Sequence, residues 1–103
     1  MEIIMIINKK TEQSTLFLAP VGRLDTTTAP ELEAEMEASI GGVKHLVFDF
    51  KDVAYISSAG LRVILKAQKI MKSHGGMKVV GVNSTVMEVF EITGFTDILD
   101  IEG

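Results

Sequence analysis

The stretch Tyr55-Ile56-Ser57-Ser58-Ala59-Gly60-Leu61-Arg62-Val63-Ile64-Leu65 changes character within a few positions. An apolar run ends at two hydroxyls, and a helical pattern begins on top of them. Leu61, Ile64, Leu65 and Met71 recur on one face, widened by Val63, Ala67 and Ile70. This spacing predicts a helix over about Ser58 to Ser73, stopped by Gly75-Gly76. A serine at the mouth of a helix is ordinarily a cap, its oxygen accepting from a free N–H of the first turn. The same place suits a phosphate, because those N–H groups and the positive end of the helix dipole point at it. No Asp or Glu occupies Ser57 to Leu61, and Gly60 has no side chain to obstruct an approach to the backbone. On its own chemistry Ser58 therefore reads first as a cap and second as a phosphate acceptor.

The polar side of this helix carries Arg62, Lys66, Lys69 and Ser73 in one stripe. Such a stripe is ordinarily a solvated basic face. Its functional reading is a docking edge for an acidic partner surface, with Arg62, one turn beyond Ser58, in reach of a phosphate there.

Working outward, His45 to Phe50 predicts a strand, and Lys51 to Ser57 leads from it into the helix. Near the start, Ile3 to Ile7 is a continuous apolar run, expected of a strand covered on both faces. Lys9 to Gln13 reads as a polar turn and Ser14 to Val21 as a second strand closed by Gly22, so the pair forms an antiparallel hairpin. Thr28 and Glu31 stand at capping-box spacing around Pro30, opening a helix that buries Leu32, Met36 and Ile40 and ends at Gly41-Gly42. Met77 to Val82 predicts a further strand. A third helix starts at Ser84 or Thr85, with Thr85 and Glu88 again at capping-box spacing, and Gly94-Phe95 stops it. Asp97 to Ile101 is a last short strand or an extended tail. The order β-β-α-β-α-β-α-(β) predicts one α/β domain over residues 1–103 with a mixed, mostly parallel sheet.

Composition narrows the function. In 103 residues, 47% are hydrophobic and only 6% aromatic, with no Trp, so the core is expected to be mainly aliphatic. A net charge of −4 argues against general binding to a phosphate backbone, hence no direct nucleic-acid partner. The absence of Cys excludes disulfides, thiolate chemistry and Cys-ligated zinc, and His45 and His74 are not at ligand spacing, so neither a metal nor a cofactor is expected. No segment approaches the ~20 apolar residues of a membrane span, and the short apolar start carries Glu2 where an export signal wants positive charge. A cytoplasmic protein without membrane association is the expectation.

A hydrolase triad can be drawn from Ser58, one of the two histidines, and Asp25 or Asp49. The nucleophile-elbow pattern is absent around Ser58, and so is the phosphate-loop pattern. The chain does not read as an enzyme.

The run Phe48-Asp49-Phe50-Lys51-Asp52-Val53-Ala54-Tyr55-Ile56-Ser57-Ser58-Ala59-Gly60-Leu61 resembles the central motif of STAS domains, specifically bacterial anti-sigma factor antagonists. Gly22-Arg23-Leu24-Asp25 with Thr26 to Ala29 resembles the family's first loop, and Gly75-Gly76 and Ser84 to Phe95 fit its later elements. The resemblance implies a small α/β binding domain that captures an anti-sigma factor, often also a serine kinase of the GHKL type, and so frees a sigma factor. It implies phosphorylation by that kinase at Ser58, with Ser57 as the second choice, and resetting by a PP2C-type phosphatase. It places Asp25 at the partner surface; Thr26, Ser57, Ser58, Ala59, Gly60, Arg62 and Lys66 complete the expected contact set. Two departures stand out: Ser57 replaces an Asp common before the phosphorylated serine, and Ala59 stands where Ser or Thr is frequent. Some members of this family are not phosphorylated and act as assembly subunits of signalling or transport complexes, which is the alternative reading.

Overall fold

The computed structural model describes residues 5–103. The element order is β1 (Ile6–Glu12), β2 (Thr15–Leu24), α1 (Ala29–Ser39), β3 (His45–Asp49), β4 (Val53–Ile56), α2 (Ser58–Met71), β5 (Met77–Val80), α3 (Ser84–Ile92), a 3-10 turn (Phe95–Asp97) and β6 (Asp100–Ile101). Six strands form one mixed sheet in the order β1-β2-β3-β5-β6, with β4 pairing β2 off that path. Among the described residues only the β1–β2 pair is antiparallel; the other pairs are parallel. The expected α/β architecture with a mostly parallel sheet is the one found.

Two strand expectations are corrected. The first strand does not end at Ile7 with a turn over Lys9 to Gln13. β1 runs on to Glu12, in register from Ile6 opposite Val21 to Glu12 opposite Thr15. The turn shrinks to Gln13 and Ser14, with Gln13 at φ 54, the positive value a two-residue hairpin connection demands. Nor is this strand covered on both faces. It is the sheet edge, where polar residues meet water, and Ile6 is 62% exposed; Ile3 and Ile4 lie outside the described residues. The second correction is β4, which the sequence hid inside the approach to α2. Its partner β2 advances one residue from Gly22 to Arg23 while β4 advances two, from Val53 to Tyr55. Ala54 is thus the extra residue of a bulge, and it breaks the alternation that would have announced a strand.

β2 governs the layout. Leu16 and Leu18 point to the helix-covered face and are fully buried, while Phe17, Ala19 and Val21 point the other way and are half-buried. Leu46 and Phe48 of β3 and Val79 of β5 continue the buried side. On it lie Leu32 and Met36 of α1 and Ile64, Ala67 and Met71 of α2, each fully buried. The expectation of an aliphatic core holds for most of this layer, yet four of the five phenylalanines join it as a chain. Phe48 meets Phe50 edge-on at 6.0 Å, Phe50 stacks on Phe90 at 6.3 Å, and Phe90 stacks on Phe95 at 6.0 Å. Phe95 is delivered there by Gly94, whose φ of 80 ends α3 in the left-handed conformation.

The caps differ from those expected. α3 is capped by Asn83, whose Oδ1 accepts from the Val86 amide at 2.8 Å, so the Thr85–Glu88 box does not form. Asn83 also donates from Nδ2 to the Val53 carbonyl at 2.9 Å, tying α3 to β4. A side chain with both an acceptor and a donor does two jobs that a hydroxyl at Thr85 would not reach.

Candidate interaction site at the start of the second helix

β2 is ten residues long and changes partner along its length. Thr15 to Leu18 pair with β3, and Gly22 to Leu24 pair with β4. β2 and β4 therefore finish side by side, with Leu24 opposite Ile56. The chain continues from Leu24 into the Asp25 loop and from Ile56 into α2. The Ser57 amide donates to the Leu24 carbonyl at 2.9 Å and fastens the two exits together. Two segments far apart in sequence, Asp25–Thr26 and Ser57–Gly60, thus share one end of the sheet.

The Asp25 loop is tightly bonded. Asp25 Oδ1 accepts from the amides of Thr27 at 3.0 Å and Thr28 at 3.2 Å. Thr28 Oγ1 accepts from the Asp25 amide at 2.9 Å and donates to the Arg23 carbonyl at 2.7 Å. These bonds replace the expected Thr28–Glu31 capping box. Thr28 caps nothing with its side chain, and Glu31 Oε1 accepts from the Met5 amide at 3.2 Å instead. Asp25, three residues before Thr28, captures the hydroxyl's neighbourhood first. The Asp25 carboxyl is held below its ordinary value of 3.8, chiefly by the Thr28 N–H; the Thr27 N–H, the Thr28 hydroxyl and the Arg23 charge add to this and outweigh partial burial. Thr26 is exposed at the tip.

Arg23 was not among the expected site residues. It lies directly opposite Tyr55, its guanidinium 4.5 Å from the ring centroid and its Nε 3.8 Å from Asp25 Oδ2. The signal was invisible without β4, because only the pairing of β4 with β2 brings Tyr55 to Arg23.

At the helix, Ser57 rather than Ser58 is the cap. Ser57 has extended backbone, and its Oγ accepts from the Gly60 amide in a long bond of 3.4 Å. Ser58 is the first helical residue, and its side chain is exposed. Ala59 is half-buried against the core. Gly60 is not an open approach for a partner. It faces inward, and a Cβ there would lie 2.8 Å from both Leu24 Cγ and Ile56 Cγ1 and 3.0 Å from the Leu24 carbonyl oxygen. The missing side chain lets α2 close onto β2.

Of the basic stripe, Arg62 and Lys69 are exposed. Lys66 turns to α1, pairing with Glu33 at 2.6 Å and with Glu37, and the two carboxylates raise its pKa. Its charge is spent largely inside the domain. Ser73 donates from Oγ to the Ile70 carbonyl at 3.1 Å.

The histidines stand far from Ser58. His45 pairs with Thr15 at the opposite end of β2, roughly 30 Å of strand from Leu24 at ~3.3 Å per residue. His74 follows the far end of α2, roughly 20 Å along the helix. Neither histidine is placed to serve Ser58 as a base.

The STAS domain profile matches residues 7–102. This chain belongs to the STAS domain family. Within it, the chain is 38% identical over 82 residues to BtrV of Bordetella bronchiseptica, a candidate anti-sigma factor antagonist, covering 78% of this chain and 71% of that protein. It is 32% identical to the anti-sigma-B factor antagonist of Listeria monocytogenes over 103 residues, covering 96% of one and 87% of the other. Among solved structures, an anti-sigma factor antagonist of Mycobacterium paratuberculosis superposes with a TM-score of 0.87 at 20% identity, over 95% of this chain and 85% of that one. The phosphorylated form of SpoIIAA from Bacillus gives 0.73 at 17% identity, over 93% and 90%. At such identities the superpositions speak for the shared fold.

Proposed function

We propose that this STAS domain is an anti-sigma factor antagonist. It captures an anti-sigma factor, a GHKL-type serine kinase, in the cytoplasm and is switched off by phosphorylation of Ser58. A PP2C-type phosphatase resets it. Sequence relatives named as anti-sigma-B factor antagonists, matched over nearly the whole chain, support the class of partner. The observation that carries the reading is the junction of the Asp25 loop with the start of α2 through the Ser57–Leu24 hydrogen bond. One surface then offers an ordered acidic loop and an exposed hydroxyl together. Among the described residues no helix is long and apolar enough to cross a membrane.

The structure favours Ser58 over Ser57 as acceptor on chemical grounds. Ser57 is half-buried and its oxygen is engaged as cap, whereas Ser58 is exposed with no acid in the first turn of its helix. A phosphate adds about −1.5 to −2 charges at neutral pH. At a helix N-terminus the host fold tolerates it. In an interface shaped for a small neutral hydroxyl it introduces bulk and a charge that is costly to desolvate. The contact set is Asp25, Thr26, Ser58, Ala59 and Arg62, with Ser57 and Gly60 supporting it from within and Lys66 at its α1 border.

The test pairs Ser58→Asp with Ser58→Ala against a GHKL-type anti-sigma kinase from the same genome. Binding by Ser58→Ala and loss of binding by a folded Ser58→Asp is the expected result. Equal binding by both removes the switch. A bound kinase that leaves the Ser57–Ser58 peptide unmodified in mass spectrometry leaves the domain as an assembly subunit.

A further inference from the structure

We propose that Thr28 is a positioning residue for partner recognition, holding Asp25 and its loop in the shape the partner reads. The inference rests on the functional reading above, since it assigns Thr28 a task at that surface. Thr28 occupies the position before α1, where a threonine ordinarily caps the helix. Its backbone is already helical, with φ −96 and ψ −23, and its side chain makes no capping bond. The helix start is served by main chain instead. The Thr28 carbonyl accepts from the Glu31 amide at 3.0 Å and the Leu32 amide at 3.2 Å, and the Asp25 carbonyl accepts from the Ala29 amide at 2.8 Å.

The hydroxyl is thereby free to turn back into the loop. It bridges the Asp25 amide and the Arg23 carbonyl, the residues on either side of Leu24. Leu24 is the residue whose carbonyl holds Ser57. One hydroxyl thus pins both flanks of the point where the loop is fastened to α2. The Thr28 amide adds a bond to Asp25 Oδ1, so that oxygen is turned inward, while Oδ2 lies beside the exposed Arg23. A carboxylate fixed in this way meets a partner without paying the ordering entropy of a free loop.

The experiment compares wild type, Thr28→Val and Thr28→Ser. Valine keeps the shape and removes the hydroxyl; serine keeps the hydroxyl. Binding to the purified GHKL-type kinase is measured alongside the NMR titration of the Asp25 carboxyl. Thr28→Val is expected to weaken binding about tenfold, equivalent to ~1.4 kcal/mol, and to raise the Asp25 titration midpoint toward the ordinary carboxylate value. Thr28→Ser, which loses the methyl group but keeps the hydroxyl, is expected to retain both, as it would not if side-chain shape rather than the hydroxyl bonds were what mattered. Unchanged binding by Thr28→Val, an unmoved Asp25 titration, or an equal loss in Thr28→Ser overturns the proposal while leaving the function standing. A wild-type domain that does not hold the kinase overturns the function, and the recognition role of Thr28 with it.

Discussion

The Ser57 amide donates to the Leu24 carbonyl at 2.9 Å. This bond continues the β2–β4 pairing one step past the end of the strands, into the first turn of α2 and the start of the Asp25 loop. The position of the exposed Ser58 hydroxyl is therefore set by the sheet rather than by the helix alone.

The two serines separate in stability measurements. Ser57→Ala removes the α2 cap and is expected to cost about 1 kcal/mol. Ser58→Ala removes an exposed hydroxyl and is expected to change stability by less than about 0.5 kcal/mol. Urea denaturation of the two variants checks this, and the reverse order would make Ser58 the cap.

Gly60→Ala tests the closeness of α2 to β2. An alanine favours a helix interior by up to about 1 kcal/mol over glycine. Here its Cβ would fall 2.8 Å from Leu24 and Ile56 side-chain atoms and 3.0 Å from a backbone oxygen, so overpacking decides the sign. A net loss of roughly 1–2 kcal/mol is expected, with amide shifts in the Asp25 loop as Leu24 is pushed away. A stabilised variant would show that the helix moves freely.

Asn83 is a joint between α3 and β4. Asn83→Ala is expected to cost more than the ~1 kcal/mol of an ordinary cap, because the bond to the Val53 carbonyl is lost as well. Asn83→Asp keeps the acceptor for Val86 and loses the donor, so its stability should fall between the two. Thermal unfolding of both variants tests this order.

The Asp25 carboxyl gives a pH signature. Its folded pKa lies below the ordinary 3.8 because bonds within the loop favour the charged form. The stability this lends is present above the unfolded value and is lost as pH falls through the folded one. The loop should therefore stay intact and partner binding should show no Asp25-linked change between pH 5 and 8. Following the carboxyl by NMR from pH 6 to pH 2 should place its midpoint below that of an unfolded aspartate; a midpoint above it would mean the loop bonds are not kept in solution.

The helices were readable in advance because each announces itself locally. Leu61, Ile64 and Met71 of α2, and Leu32 and Met36 of α1, stand at helical spacing and all prove buried. The caps were misjudged at all three helices. Thr28 and Asp25, Ser57 and Ser58, and Asn83 and Thr85 are near neighbours with similar side chains. Which of them meets a given amide depends on backbone angles that sequence spacing does not encode. β4 was missed because four residues with a bulge show no period.

By itself the sequence determined the class of the fold, the two helical faces that make the core, and the motif around Ser57 and Ser58. These follow from short-range periodicity and local residue chemistry. Only the tertiary structure decided that Gly60 serves packing, that Lys66 is occupied by α1, that Arg23 lies on Tyr55, and that the Asp25 loop abuts α2. The Lys66 pairing depends on α1 and α2 lying side by side; the other three depend on β2 switching from β3 to β4, a long-range pairing fixed by hydrogen bonds between strands and by the shared burial of Leu24 and Ile56.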